Sequence, residues 1–301
     1  MKTNLGGILP ALVTPLTPGQ TLHVTALEQL LERVYSAGAD GVYVCGSTGE
    51  GLVLPADMRR NIVEIAVRNS PRGKQVIVHA GAWSFAEAQS LARHAARAGA
   101  AAISSLPPAG ASYPEILAHY RDLAASTDLP FLAYYFPAAG SGPLSYDQLA
   151  GICAIPGVAG LKFTDFDLYI LSLLVREGNV VFNGRDEVLS AGLLMGAHGG
   201  IGSIYNLIPG WFVELYGHAR ARRWVEARQV QDRINDLIRV LLSFPFLPAL
   251  KRALSWEGIE CGDALRPRIG LTAEQESRLR TALEGVLLDR PVPVIVHRDT
   301  A

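Results

Sequence analysis

Short apolar runs rich in β-branched residues alternate along this chain with longer segments whose apolar residues recur at helical spacing. The runs cover residues 7–13, 41–45, 75–80, 101–105, 131–135, 158–162, 180–183 and 199–204, and each reads as a strand. Amphipathic stretches begin near Thr25, Pro55, Ser84, Tyr113, Ser145, Asp167, Asp186 and Pro209, several of them introduced by a cap residue or by proline in the first turn. Strands separated in this way by helices predict a parallel sheet, because a parallel partner is reached only through a crossover. Runs such as Gln75-Val-Ile-Val-His79 are apolar almost throughout, as strands buried on both faces are. A doubly wound open sheet would share that pattern. Here, however, the first strand leads into Thr14-Pro-Leu-Thr-Pro-Gly19 and not into a G-x-G-x-x-G phosphate turn. The expected fold is therefore α/β, a (β/α)8 TIM barrel over residues 1–219. Residues 220–244, 247–256 and 272–288 then continue the helical period without a strand, which predicts a C-terminal three-helix extension over 220–301.

Length and composition agree with one barrel plus an extension. The 301 residues exceed the roughly 250 of a simple barrel, and 49% hydrophobic against 18% charged residues leaves ample material for a buried sheet. With 27 Lys+Arg against 28 Asp+Glu, the formal net charge of -1 gives no field that would attract nucleic acid or an anionic membrane. No stretch approaches the ~20 consecutive apolar residues of a membrane helix, so the expected partner is a small molecule. Cys45, Cys153 and Cys261 are widely spaced and odd in number, which argues against both a zinc site and a disulfide framework. No His and carboxylate set has ligand spacing and no dinucleotide or Walker loop occurs, so neither metal nor cofactor is expected. The apolar start from Leu5 to Leu16 is broken by Pro10 and Pro15 and lacks a cleavage pattern, which points to a cytoplasmic, reducing location.

Barrel enzymes work where their strands end, and four such places carry polar residues. After the second strand comes Cys45-Gly-Ser-Thr-Gly-Glu50, where Ser47, Thr48 and close backbone N–H groups would hold a carboxylate; alternatively Thr48 only caps the next helix. Lys162 ends the sixth run at the barrel mouth, a setting in which a partly desolvated amine can form an imine; alternatively it snorkels to solvent or pairs with Asp165. Tyr134 ends the neighbouring strand within Ala133-Tyr-Tyr-Phe-Pro137 and offers a phenol for proton transfer, with Ser47 as a relay, while Tyr135 reads as a core residue. The fourth place joins Asn183-Gly-Arg-Asp-Glu187 to Gly199-Gly-Ile-Gly-Ser203. There Asp186 and Glu187 either accept hydrogen bonds from a polyol or simply favour the N-terminus of the next helix. Arg185 either contacts an acidic sugar or, as exposed loop arginines more often are, is simply solvated, and His79 and His198 read as structural or solvated.

Taken together, Gly46-Ser-Thr-Gly-Glu50, Tyr134 with Pro137, and Gly160-Leu-Lys162 resemble the dihydrodipicolinate synthase and N-acetylneuraminate lyase family of class I aldolases. The resemblance runs from about Gly7 to the C-terminal helices. It implies that Lys162 binds pyruvate as an imine, that Tyr134 transfers protons with Ser47, that Ser47 and Thr48 hold the pyruvate carboxylate, and that the backbone near Ile201 faces pyruvate. Synthases of the family usually carry an arginine shortly after the tyrosine motif; here the residues are Ala138-Ala-Gly140. Lys162-Phe-Thr164, Asn183 to Glu187 and the Gly199 to Asn206 segment look like the sialic acid lyase branch, which assigns Thr164, Gly184, Asp186, Glu187 and Ser203 to a sugar chain. The implied partners are pyruvate and a small aldehyde or keto sugar acid, and the implied assembly is a homo-oligomer, tetramer or dimer. The family's Tyr-Asn-x-Pro or Tyr-His-x-Pro is Tyr134-Tyr-Phe-Pro137 here. Ala109 and Gly110 stand where the family often places an aromatic shared between subunits, and either Tyr113 substitutes for it or nothing does. The alternatives are dihydrodipicolinate synthesis, a 2-keto-3-deoxy sugar acid aldolase or dehydratase, and a non-catalytic barrel that binds keto acids.

Overall fold

Both faces of the central sheet are buried, and the alternation of two apolar sets along each strand shows how. Leu9, Tyr43, Ile77, Leu132, Phe182 and Ile201 form an inner core, while Ile8, Val42, Val78, Leu161 and Val181 belong to the core beneath the helices. The strands are β1 (Gly7–Pro10), β2 (Gly41–Val44), β3 (Gln75–His79), β4 (Ala102–Ser105), β5 (Phe131–Tyr135), β6 (Val158–Phe163), β7 (Val180–Asn183) and β8 (Gly199–Gly202). They pair in parallel in the order β1-β8-β7-β6-β5-β4-β3-β2. A parallel bridge between Ala11 and Tyr43 joins the two ends, which closes the sheet into the expected (β/α)8 barrel. This computed structural model describes residues 5–140 and 142–287.

One helix follows each strand: α1 (Val24–Ser36), α2 (Ala56–Arg68), α3 (Phe85–Ala98), α4 (Tyr113–Ala124), α5 (Tyr146–Cys153), α6 (Leu168–Arg176), α7 (Leu189–Leu194) and α8 (Pro209–Arg220). Their starts are fixed by the cap residues that the sequence displays. Ser145 accepts the Gln148 N–H while the Gln148 side chain accepts that of Ser145, and Asp167 Oδ1 accepts the Ile170 N–H at 3.0 Å. Three more helices follow, α9 (Trp224–Leu242), α10 (Phe246–Trp256) and α11 (Ala273–Leu287). The expected end of the last one, Leu288, and the tail to residue 301 lie outside the described residues.

Several expected boundaries shift for identifiable reasons. The first strand stops at Pro10, not residue 13, because the Val13 N–H turns to the Asn206 side chain at 3.1 Å. The eighth stops at Gly202, not Ile204, because the Ile204 N–H donates to Asp186 Oδ2 at 2.8 Å. A helix expected from Asp186 begins at Leu189 after a 3-10 turn over Asp186–Val188. A helix expected from Arg220 begins at Trp224, since Arg222 takes the left-handed conformation with φ 58° and separates α8 from α9.

Candidate active site

Strand register brings the two central side chains together. Phe131 pairs with Val158, but Leu132 pairs with Gly160, so an irregularity in β6 advances the register by one residue and sets Lys162 opposite Tyr134. Without that shift Tyr134 would oppose Leu161, whose side chain faces the helices. The irregularity depends on Gly160, because a Cβ there would overlap the Val180 carbonyl of β7. Lys162 is 4% exposed, and its Nζ lies 4.1 Å from the centre of the Tyr134 ring and 4.4 Å from that of Tyr43. It neither snorkels nor pairs with Asp165, whose carboxylate accepts the Phe166 N–H instead. Tyr135 is a core residue as expected, its hydroxyl accepting the Leu144 N–H.

His79 packs edge-on against Tyr134 from below, with ring centres 6.2 Å apart. Its Nε2 accepts the Leu106 N–H at 3.0 Å, and burial, with the charges of Arg59 and Lys162, pushes the imidazole well below its ordinary range. It is a neutral structural residue. His198 is likewise structural, its Nδ1 accepting the Val181 N–H at 3.2 Å.

The turn after β2 faces this pair. Thr48 does not cap α2, whose N-cap is Pro55; its hydroxyl shares a 2.6 Å hydrogen bond with that of Ser203 after β8, which ties two strand ends together. Glu50 closes the turn in the left-handed conformation, φ 58°, and is held from the far end of the chain. Lys251 of α10 donates to Glu50 Oε2 at 3.2 Å and the Leu265 N–H to Oε1 at 2.7 Å. Both side chains of that ion pair are buried, 1% and 0% exposed. Sequence reading did not find this clamp.

On the opposite rim, Gly184 passes so close to Thr164 that a Cβ would overlap the threonine hydroxyl. Thr164 is 6% exposed, and its hydroxyl makes no hydrogen bond among the described residues. Asp186 is 8% exposed, and burial pushes its carboxyl up to about 7 even though Oδ2 accepts the Ile204 N–H. The backbone of this loop rests on α9, where Gln231 donates to the Asp186 carbonyl at 2.9 Å and Asn235 to that of Glu187 at 3.1 Å. The residues expected to act in catalysis or to bind substrate, Ser47 and Ile201 included, border one cavity of about 680 Å³. Among the described residues no group of three or more His, Cys, Asp or Glu is arranged to hold a metal ion.

Comparison with known proteins finds similarity over nearly the whole chain. Residues 4–286 match the model of the dihydrodipicolinate synthetase family. The chain belongs to that family. It is 35% identical over 288 residues to an N-acetylneuraminate lyase of Rhizobium meliloti, covering 94% of this chain and 96% of that one. It is 37% identical over 262 residues to an N-acetylneuraminate lyase of Escherichia coli, covering 85% and 88%. The solved Proteus mirabilis N-acetylneuraminate lyase superposes with a TM-score of 0.86 at 28% identity, covering 94% of this chain and 98% of that chain.

The C-terminal helices also contribute to the cavity wall. Ile238, Leu242, Phe246 and Leu247 of α9 and α10 border it, with Arg268 beyond them. Arg185 is not a solvated loop arginine. Its guanidinium carbon lies 4.5 Å from the Phe166 ring centre and 5.4 Å from that of Phe136, and its Nε is buried. The signal in sequence was the aromatic at 136, inside the tyrosine motif, but nothing linear connects it to residue 185. The Tyr113 hydroxyl donates to the Gln148 carbonyl at 2.9 Å.

Proposed function

We propose that this protein is a carbon–carbon lyase that cleaves a keto sugar acid to pyruvate and an aldehyde through a Schiff base on Lys162, in the manner of N-acetylneuraminate lyases. The observation that carries the reading is the buried Lys162 amine in register with Tyr134, beside the Ser47 and Thr48 turn. Lys162 adds to the keto carbon and water leaves, giving an imine that acts as electron sink. Tyr134 takes the proton of the substrate hydroxyl, the adjacent carbon–carbon bond breaks, and the aldehyde departs from an enamine. Protonation and hydrolysis then release pyruvate and the free amine. Ser47 and Thr48 hold the pyruvate carboxylate, Ser47 also relays protons, and the backbone at Ile201 faces the three-carbon unit. Thr164, Gly184, Asp186, Glu187 and Ser203 form the wall for the remaining chain.

Residues from 220 onward serve in this reading as an extension that lends the barrel of 1–219 an outer wall. The reading also includes a homo-oligomer and a cytoplasmic location; among the described residues no helix is long and apolar enough to cross a membrane. The test is pyruvate release from N-acetylneuraminate and from 2-keto-3-deoxy sugar acids. Release from at least one, absent in Lys162→Ala, is the expected result. A folded protein that releases none and binds keto acids without turnover is instead a non-catalytic barrel.

A further inference from the structure

Three cationic side chains border the cavity, and two of them are committed. Lys162 is assigned to the keto carbon, and Arg268 reaches Glu50 at 3.9 Å. Arg185 is not: among the described residues no carboxylate pairs with it, its nitrogens donate no hydrogen bond, and its Nε is buried without a partner. A buried donor of this kind is unfavourable until an acceptor meets it.

The position of Arg185 is set by an aromatic ladder that starts at the reactive amine. The Lys162 Nζ lies 4.1 Å from the Tyr134 ring centre, and Phe136 stacks on Tyr134 at 6.1 Å with an interplanar angle of 19°. The guanidinium of Arg185 follows, 5.4 Å from Phe136 and 4.5 Å from Phe166. Stacking engages the flat face of a guanidinium and leaves its edge free, and that edge carries the paired N–H donors that match a carboxylate or phosphate. Of the acidic groups that border the cavity, Asp186 is engaged by the Ile204 N–H, and Glu187 makes no ion pair with Arg185 among the described residues.

We propose that Arg185 reads a second anionic group, a carboxylate or a phosphate, at the end of the substrate remote from the keto carbon. The aldehyde half of the preferred substrate then carries that second anionic group. This inference rests on the Schiff-base reading for the identity of the near end, and on the Arg185 geometry alone for the far end.

The test uses straight-chain 2-keto acids of six to eight carbons in pairs that end either in a carboxylate or in a methyl group. Their binding is measured by calorimetry on the full chain, for wild type, Arg185→Gln and Arg185→Lys, and each mixture is then reduced with borohydride and weighed. The wild type is expected to prefer the dicarboxylate at one chain length by roughly tenfold to a hundredfold. Arg185→Gln loses that ratio and Arg185→Lys regains part of it. Equal affinity for both members of every pair, or a ratio that survives in Arg185→Gln, overturns the inference. Adducts without a charge preference sink this inference but not the Schiff base, whereas a charge preference without adducts does the reverse. Condensation of pyruvate with glyceraldehyde against glyceraldehyde 3-phosphate then separates phosphate from carboxylate as the group that is read.

Discussion

Lys162 and Tyr134, deep in the cavity, are held by hydrogen-bonded strand register, whereas Arg185 and Phe136 above them are held by stacking between loops. The contrast separates two tasks. Imine chemistry needs an amine and a phenol at fixed separation, and adjacent barrel strands supply that in any member of the fold. Choice of the second substrate needs a surface that can vary without disturbing the register. Loops after β5, β6 and β7 and the helices beyond the barrel provide it.

Five substitutions sharpen or break this division, taken in order of decreasing effect. Lys162→Ala should lower the rate of pyruvate release by on the order of a thousandfold or more, since no other group in the site can carry the covalent step. Tyr134→Phe should lower the same rate by roughly a hundredfold to ten-thousandfold while the imine still forms, a split visible by comparing turnover with adduct mass. Lys251→Met leaves the Glu50 carboxylate buried without its ammonium, so thermal unfolding should show a loss of about 3–5 kcal/mol. Adding Glu50→Gln to that variant should return part of the loss, and a single variant as stable as wild type would mean the turn after β2 does not depend on α10.

The smallest effect concerns pH. Burial raises the Asp186 carboxyl from 3.8 to about 7, so between those values the folded protein holds a proton that the unfolded chain has released. The stabilisation is therefore greatest at the acidic end of that window and declines as pH rises through it. Asp186→Asn should flatten this part of the curve of melting temperature against pH, and an unchanged slope would assign it to other groups.

How much of this was legible in the sequence follows from the same contrast. Strands buried on both faces produce continuous apolar runs, and polar residues at their ends stand out against them, as Lys162 and Tyr134 do, whereas Thr164 was marked only by the family resemblance. Helix starts at Ser145 and Asp167 were marked by side chains that cap them. The break at Arg222 left no trace, because only its backbone angle separates α8 from α9. The Glu50 and Lys251 clamp spans 201 positions, and no local pattern reports a contact at that range. The setting of Arg185 was hidden for a related reason: its neighbours Phe136 and Phe166 come from the ends of two other strands, and nothing linear separates a loop arginine that meets a substrate from a solvated one.

The central claim is that Lys162 forms an imine with pyruvate. Intact mass after borohydride reduction in the presence of pyruvate, on wild type and Lys162→Ala side by side, tests it most directly. The account predicts one pyruvyl adduct per chain in wild type and none in the variant. A folded wild type that gains no mass, or a variant that gains the same mass, would contradict it.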